Sequence, residues 1–264
     1  MDLHLKRGGG RPHTGYVDVL RHVIGAERDR RADLQLGMAL CCVAGAVNAG
    51  GFLAVAQYTS HMSGIISAMA DNLALGGVAL VLAGLGSVLA FVAGAATSAI
   101  LINWGRRHHG RSQYALPLLL EALLLLCFGL AGGFRQNLPA FVVVAVPLLC
   151  FIMGLQNAII TKVSQARIRT THVTGIVTDI GIELGKLIYW NRSRGEGLDM
   201  VRADRDKLRL LSALLAAFFA GGVLGALGFK QIGFFATVPL AALLLLLAGV
   251  PLVDDLVTAW RRRG

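Results

Sequence analysis

Charge is scarce in this sequence. Only 15% of its 264 residues are Asp, Glu, Lys or Arg, against roughly a quarter in soluble domains. With 55% of the chain hydrophobic, too few charged side chains remain to dress a water-soluble surface, which excludes an ordinary soluble globule. Cysteine is scarce too. Cys41, Cys42, Cys127 and Cys150 all lie inside apolar stretches without metal-ligand spacing. They read as small buried hydrophobes, and a disulfide framework is not implied. Enzyme signatures are missing: there is no Gly-x-Ser-x-Gly elbow, no phosphate loop and no His-Glu-x-x-His helix. The expectation is a protein without catalytic residues, cofactor or metal site.

What is there in abundance is apolar sequence, and it is not scattered. It falls in blocks at 35–56, 61–82, 83–104, 115–134, 139–161, 171–190, 210–228 and 232–252. Each is about twenty residues, the length that crosses ~30 Å of hydrocarbon. The chain therefore reads as an all-α integral membrane protein with the lipid bilayer as its first partner. A net charge of +10 raises the question of nucleic acid. The basic residues sit in the short connections between blocks, without the interleaved aromatics of a nucleic-acid surface, so no nucleic-acid partner is expected.

Residues 1–34 are polar and basic and read as a cytosolic tail, with a short surface helix conceivable over 17–30. The first apolar block begins too late and runs too long for a signal-peptide core. Residues 254–264 form a second cytosolic tail.

A short pattern is written twice. Ser60-His61-Met62-Ser63-Gly64-Ile65 recurs as Thr171-His172-Val173-Thr174-Gly175-Ile176. Before it, Gly45-Ala46-Val47-Asn48-Ala49 matches Gly154-Leu155-Gln156-Asn157-Ala158. After it, Phe91-Val92-Ala93-Gly94 matches Phe218-Phe219-Ala220-Gly221, and Pro117 matches Pro239. Four landmarks in one order mean a duplicated unit, with 35–134 and 139–253 as two membrane repeats.

The blocks at 61–82 and 171–190 differ from the others by carrying His, hydroxyl and acidic residues. The positive-inside rule tests whether they cross. If both return to the side they came from, six helices cross, both termini are cytoplasmic, and 23 of the 25 Lys and Arg lie inside. If both cross, 18 lie inside; if only the first crosses, nine do. The expectation is six transmembrane helices in two inverted three-helix repeats, each with a re-entrant or short polar segment. Such folds bind solute where the repeats meet.

Each motif copy reads as a helix start. Ser60 or Thr171 can cap free N–H groups, and the positive helix end favours an anionic or polar solute. The pathway candidates are His61, Ser63, Gly64, His172, Thr174 and Gly175, supported by Asn48 and Asn157. The same residue types also serve plain helix packing, and for the two Asn a structural bond between the halves is the simpler role. Asp71, Asp179 and Glu183 are candidates for a proton or cation relay. For Glu183 an ion pair with Lys186, three residues on, is the simpler account. Glu121, alone in a Leu run, must face the bundle interior or stay near the interface.

At Gly45-Ala-Val-Asn-Ala-Gly-Gly-Phe-Leu53, Ser60-His-Met-Ser-Gly64, Gly154-Leu-Gln-Asn-Ala158, Val173-Thr-Gly175 and Thr178-Asp179, the chain resembles the YoaK-like family of bacterial membrane proteins, a domain of unknown function numbered 1275. The resemblance covers about 35–255. It implies a six-helix membrane protein without established activity, some members being treated as transporters. It departs from the pattern at Asn48, where an Asp is expected, and at Ile65, where an Asn is expected.

The sequence thus points to a transporter or channel for a small polar or anionic solute in the bacterial inner membrane, with self-association left open. The alternatives are a bis-His haem or metal redox protein, and a non-transporting scaffold or sensor whose basic segments contact partners or anionic headgroups.

Overall fold

The computed structural model describes residues 30–108, 113–134, 141–163, 173–189 and 200–261. Over these the chain is helical without a strand. Its α-helices are α1 (Arg30–Val55), α2 (Met62–Ala74), α3 (Val78–His108), α4 (Ala115–Gly133), α5 (Phe141–Val163), α6 (Val173–Ile188), α7 (Arg205–Ile232) and α8 (Thr237–Arg261). The stretch 17–29, read above as a surface helix, lies outside the described residues.

Five stretches are long and apolar enough to cross a membrane: Gln35–Val55, Val78–Arg107, Ala115–Gly133, Phe141–Lys162 and Arg205–Gly249. The fifth contains two helices, α7 and α8, separated by a 3-10 turn over Gly233–Ala236. Gly233 has φ +59° and ψ −137°, a positive-φ extended conformation that glycine adopts and side chains obstruct. The fold is that of an all-α membrane protein. The long helices confirm this on their surfaces. Leu82, Leu89, Val92 and Ile100 of α3, and Phe219 and Leu224 of α7, are exposed, far more apolar surface than water tolerates.

The first polar block is shorter than its hydropathy suggests. The block at 61–82 is not one element: α2 closes at Ala74, and residues 78–82 already belong to α3. The turn between them is made by backbone bonds, Leu75 N–H to the Asp71 carbonyl (3.0 Å) and Gly77 N–H to that of Asn72 (2.7 Å), with Gly76 at φ +77°. Apolar Leu75 and Val78 on either side hide this turn from a hydropathy count. At 1.5 Å per residue, α2 reaches about 20 Å and α6 about 24 Å, short of the ~30 Å slab. The helix expected from residue 210 instead begins at Arg205. Asp204 caps it, its carboxylate accepting from the N–H groups of Asp206 (3.1 Å) and Lys207 (2.9 Å).

Lipid is as apolar as Leu, so membrane helices gain their contact from small residues that let backbones approach. Here α1 lies on α7 and α3 lies on α5. A Cβ on Gly45 would overlap the Phe218 carbonyl oxygen, and one on Gly221 would overlap that of Cys42. The other pair repeats the arrangement: Gly154 presses on the Phe91 carbonyl and Gly94 on that of Phe151. The duplicated landmarks Gly45 and Gly154, and Gly94 and Gly221, therefore occupy matching contacts in two different helix pairs.

Helix directions follow from such contacts. Along α1 and α7, Cys42 meets Gly221, Ala46 meets Gly225 and Gly50 meets Phe229, so the helices run parallel. Where α4 packs on α8, the last turns of α4 meet the start of the other helix: Gly129 lies against Thr237 and Gly132 against Phe234. These two are antiparallel. Phe128, Phe141, Phe229 and Phe234 cluster at that end, with ring centroids 5.5 Å apart for Phe128 and Phe234 and 5.6 Å for Phe141 and Phe234.

Candidate functional site

The first motif copy forms where the chain leaves α1. Ala56 adopts φ +54° and its N–H reaches the Phe52 carbonyl (2.7 Å), closing the helix. The chain then folds back. The Ser60 hydroxyl donates to the Asn48 amide oxygen at 2.7 Å, which holds the motif beside α1 two turns before its end. Ser60 thus does not cap α2. The cap position belongs to His61, whose side chain makes no capping hydrogen bond. The half-buried Asn48 oxygen needs a donor, and the hydroxyl serves that need instead.

The same bond corrects the role expected of Asn48. The donor to its amide oxygen lies within its own repeat, not across in the other. A buried polar link between the halves is made by Gln156, whose Nε2 donates to the Leu40 carbonyl at 3.2 Å. Gln156 was legible in principle: it stands in the landmark position where the first copy has Val47, a polar residue gained in a membrane helix.

His61 lies over Gly64. A Cβ there would come within 2.9 Å of the imidazole Cδ2, so glycine leaves room for the ring. Both residues line a cleft of about 660 Å³ between α2, α3 and the start of α5. Gln57, Tyr58, Asn72 and Ser87 supply its other polar side chains, and Val146 and Pro147 part of its apolar wall. None of these companions stood out in the sequence, because no pattern repeats them. Ser63 is exposed and is not among the lining residues.

In the second copy, Thr174 and Gly175 are exposed in the first turn of α6. His172 and Thr171 lie outside the described residues, so the relation of the two imidazoles does too. Asn157 donates to the Met153 carbonyl of its own helix (2.8 Å), and its own carbonyl accepts from Thr161 Oγ1 (2.7 Å).

The acidic candidates separate. Asp71 is exposed near the end of α2. Asp179 and Glu183 enter one ionic cluster with the start of α7. Lys186 Nζ lies 2.9 Å from Glu183 Oε1, Lys207 Nζ lies 3.4 Å from Asp179 Oδ2, and the Asp204 N–H donates to Glu183 Oε2 at 2.8 Å. Glu183 is buried at 1% exposure, and these donors account for it: a buried carboxylate is retained when paired and hydrogen-bonded. The Glu183–Lys186 pair is the one expected from their spacing. Among the described residues, no three His, Cys, Asp or Glu side chains gather as a metal set.

Glu121 is different. It is fully buried, and neither carboxyl oxygen has a hydrogen-bond partner among the described residues. Of the two positions open to it in the sequence, the structure takes the interior.

The chain is similar to a curated relative, the UPF0700 transmembrane protein YoaK of Bacillus subtilis. The two are 23% identical over 156 residues, 59% of this chain and 68% of the relative. No solved structure matches. A transmembrane relative and several long apolar helices make this a multi-pass membrane protein. A family model matches residues 36–250, and the chain belongs to that family, described as Protein of unknown function (DUF1275).

Proposed function

We propose that the protein passes a small polar or anionic solute across the bacterial inner membrane, with the cleft beside His61 on its path. The observation that carries this reading is α2: a helix too short to cross, headed by His61, with that residue lining a largely apolar cleft beside Gln57, Tyr58, Asn72 and Ser87. The first N–H groups of a helix have no intrahelical partner and carry the positive end of its dipole. A small anion or a polar solute suits that end. His61 and Gly64 serve this role in the first repeat, with Ser63 on the exposed side of the same helix turn, and His172, Thr174 and Gly175 in the second. Asn48 and Asn157 hold the segments in place. Asp71 stands at the exposed end of α2 as a relay residue, whereas Asp179 and Glu183 brace the start of α7.

Helix directions support six crossings, which put both termini on one side, and the Lys and Arg of the connections favour the cytoplasm as that side. Parallel α1 and α7 require an even number of crossings from one to the other, and antiparallel α4 and α8 an odd number. If α2 and α6 both crossed, α4 and α8 would run parallel. If only one crossed, α1 and α7 would run antiparallel. Both relations hold together when neither crosses. Each half then has three crossings and the second is inverted relative to the first, consistent with the matched glycine contacts of α1 on α7 and α5 on α3.

The test is flux into liposomes holding the purified full-length protein, with chloride, acetate, phosphate and urea as probes. At least one probe should enter faster than into empty liposomes, and His61→Ala and His172→Ala should each slow it several-fold. Unchanged flux in both variants would reject the site.

A further inference from the structure

Among the described residues, Glu121 is a buried carboxyl whose chemistry the packing leaves unexplained. It is the seventh residue of α4, wholly buried, with both oxygens unpartnered among the described residues. The elements packed on α4 are α8, the 3-10 turn, α5 and α3. Residues 237–249 of α8 and the 3-10 turn carry no titratable side chain; α5 carries Cys150 and Lys162, and α3 ends in Arg106, Arg107 and His108. On α4 itself the other such groups are Cys127 and, at its cap, Tyr114. No ion pair joins Glu121 to any of these among the described residues.

A desolvated carboxylate without cation or donor is the costliest group an apolar interior can hold, and such a group takes up a proton instead. The repeat does not call for it either. Leu runs flank it on both sides, and counting from Pro117 and Pro239 its counterpart in the second repeat is Leu243. That Leu is exposed whereas Glu121 is buried, so the acid is not part of the duplicated pattern. Ionisable residues retained at membrane depth mark ion and proton pathways.

We propose that Glu121 is a proton-binding site of the bundle interior, loaded in this closed arrangement and emptied when the helices around α4 part and admit water. In the step, the carboxyl O–H bond breaks, the proton passes to a water molecule, and a carboxylate remains. Reprotonation from water on the opposite side completes the cycle. The coupling of this proton to solute movement rests on the function proposed above; the proton site itself does not.

Two measurements separate them. Infrared spectra of the full-length protein at neutral pH should contain a protonated-carboxyl band, shifted in heavy water, that is absent in Glu121→Gln and present in Glu121→Asp. In liposomes, an inward proton gradient should raise acetate, chloride or phosphate entry several-fold for the wild type and Glu121→Asp, but not for Glu121→Gln. Absence of the band in the wild type overturns the proton site. Undiminished gradient stimulation in Glu121→Gln overturns the coupling. If the wild type moves no probe at all, the conduit falls, and the band alone decides whether Glu121 holds a proton.

Discussion

The Ser60 hydroxyl donates a hydrogen bond to the Asn48 amide oxygen across 2.7 Å, and this bond joins the end of α1 to the head of the His61 motif. A hydrogen bond of this kind contributes about 1 kcal/mol net. Ser60→Ala and Asn48→Ala should each lower unfolding stability by about that amount, and the double variant by hardly more. Asn48→Asp, which keeps the acceptor, should come close to wild type. Unfolding in mixed detergent micelles measures all four. Strictly additive losses in the double variant would mean that the two residues do not act together.

The glycine contacts give a second, sharper expectation. At Gly45, Gly154 and Gly221 the obstacle to a Cβ is a backbone carbonyl on the facing helix, which cannot rotate away. Alanine at each should therefore push the helices apart and destabilise by roughly 1–3 kcal/mol, as overpacking does. Gly86 and Gly181 meet nothing within 4 Å. There alanine should be neutral, or stabilising by about 0.5–1 kcal/mol through its better helix propensity. Equal effects at the two sets of positions would remove the close-approach explanation.

Crossing number is open to direct chemistry. Single cysteines at Gln57, Gly76, Gln165 and Tyr189, placed in a background without Cys41, Cys42, Cys127 and Cys150, can be labelled in intact cells with a membrane-impermeant maleimide. Positions 57 and 76 should label from outside. Positions 165 and 189 should react only after the membrane is opened. Labelling of 57 but not 76 would make α2 a crossing helix and end the inverted arrangement.

Much of the architecture was legible because membrane physics writes large signals. Length and hydropathy located the crossing helices, and the repeated Gly45/Gly154 and Gly94/Gly221 landmarks proved to be the points of closest backbone approach. The Glu183–Lys186 pair followed from i, i+3 spacing. What hydropathy could not see were breaks made by backbone geometry alone. The turn at Gly76 joins two apolar neighbours, whereas the break at Gly233 was legible because Lys230 and Gln231 precede it. The site was legible only at its motif. His61 and Gly64 stand in the repeat, but Gln57, Tyr58, Asn72 and Ser87 come to the cleft through the folding of α2 onto α3. The partner of Ser60 was hidden for the same reason: a hydroxyl before a helix suggests a cap, and only the reversal after Ala56 brings Asn48 within its reach.

The unequal helix lengths leave a mechanical signature. The apolar part of α3 spans 30 residues and that of α4 only 19, about 45 Å against about 28 Å. A bilayer that fits α4 upright obliges α3 to lean or to project into the headgroups. Acyl-chain thickness then acts unevenly on one molecule, straining α3 and the hairpin it forms with α2 while leaving α4 at ease. The imidazole of His61 rides on that hairpin, so lipid composition becomes a lever on the mouth of the cleft.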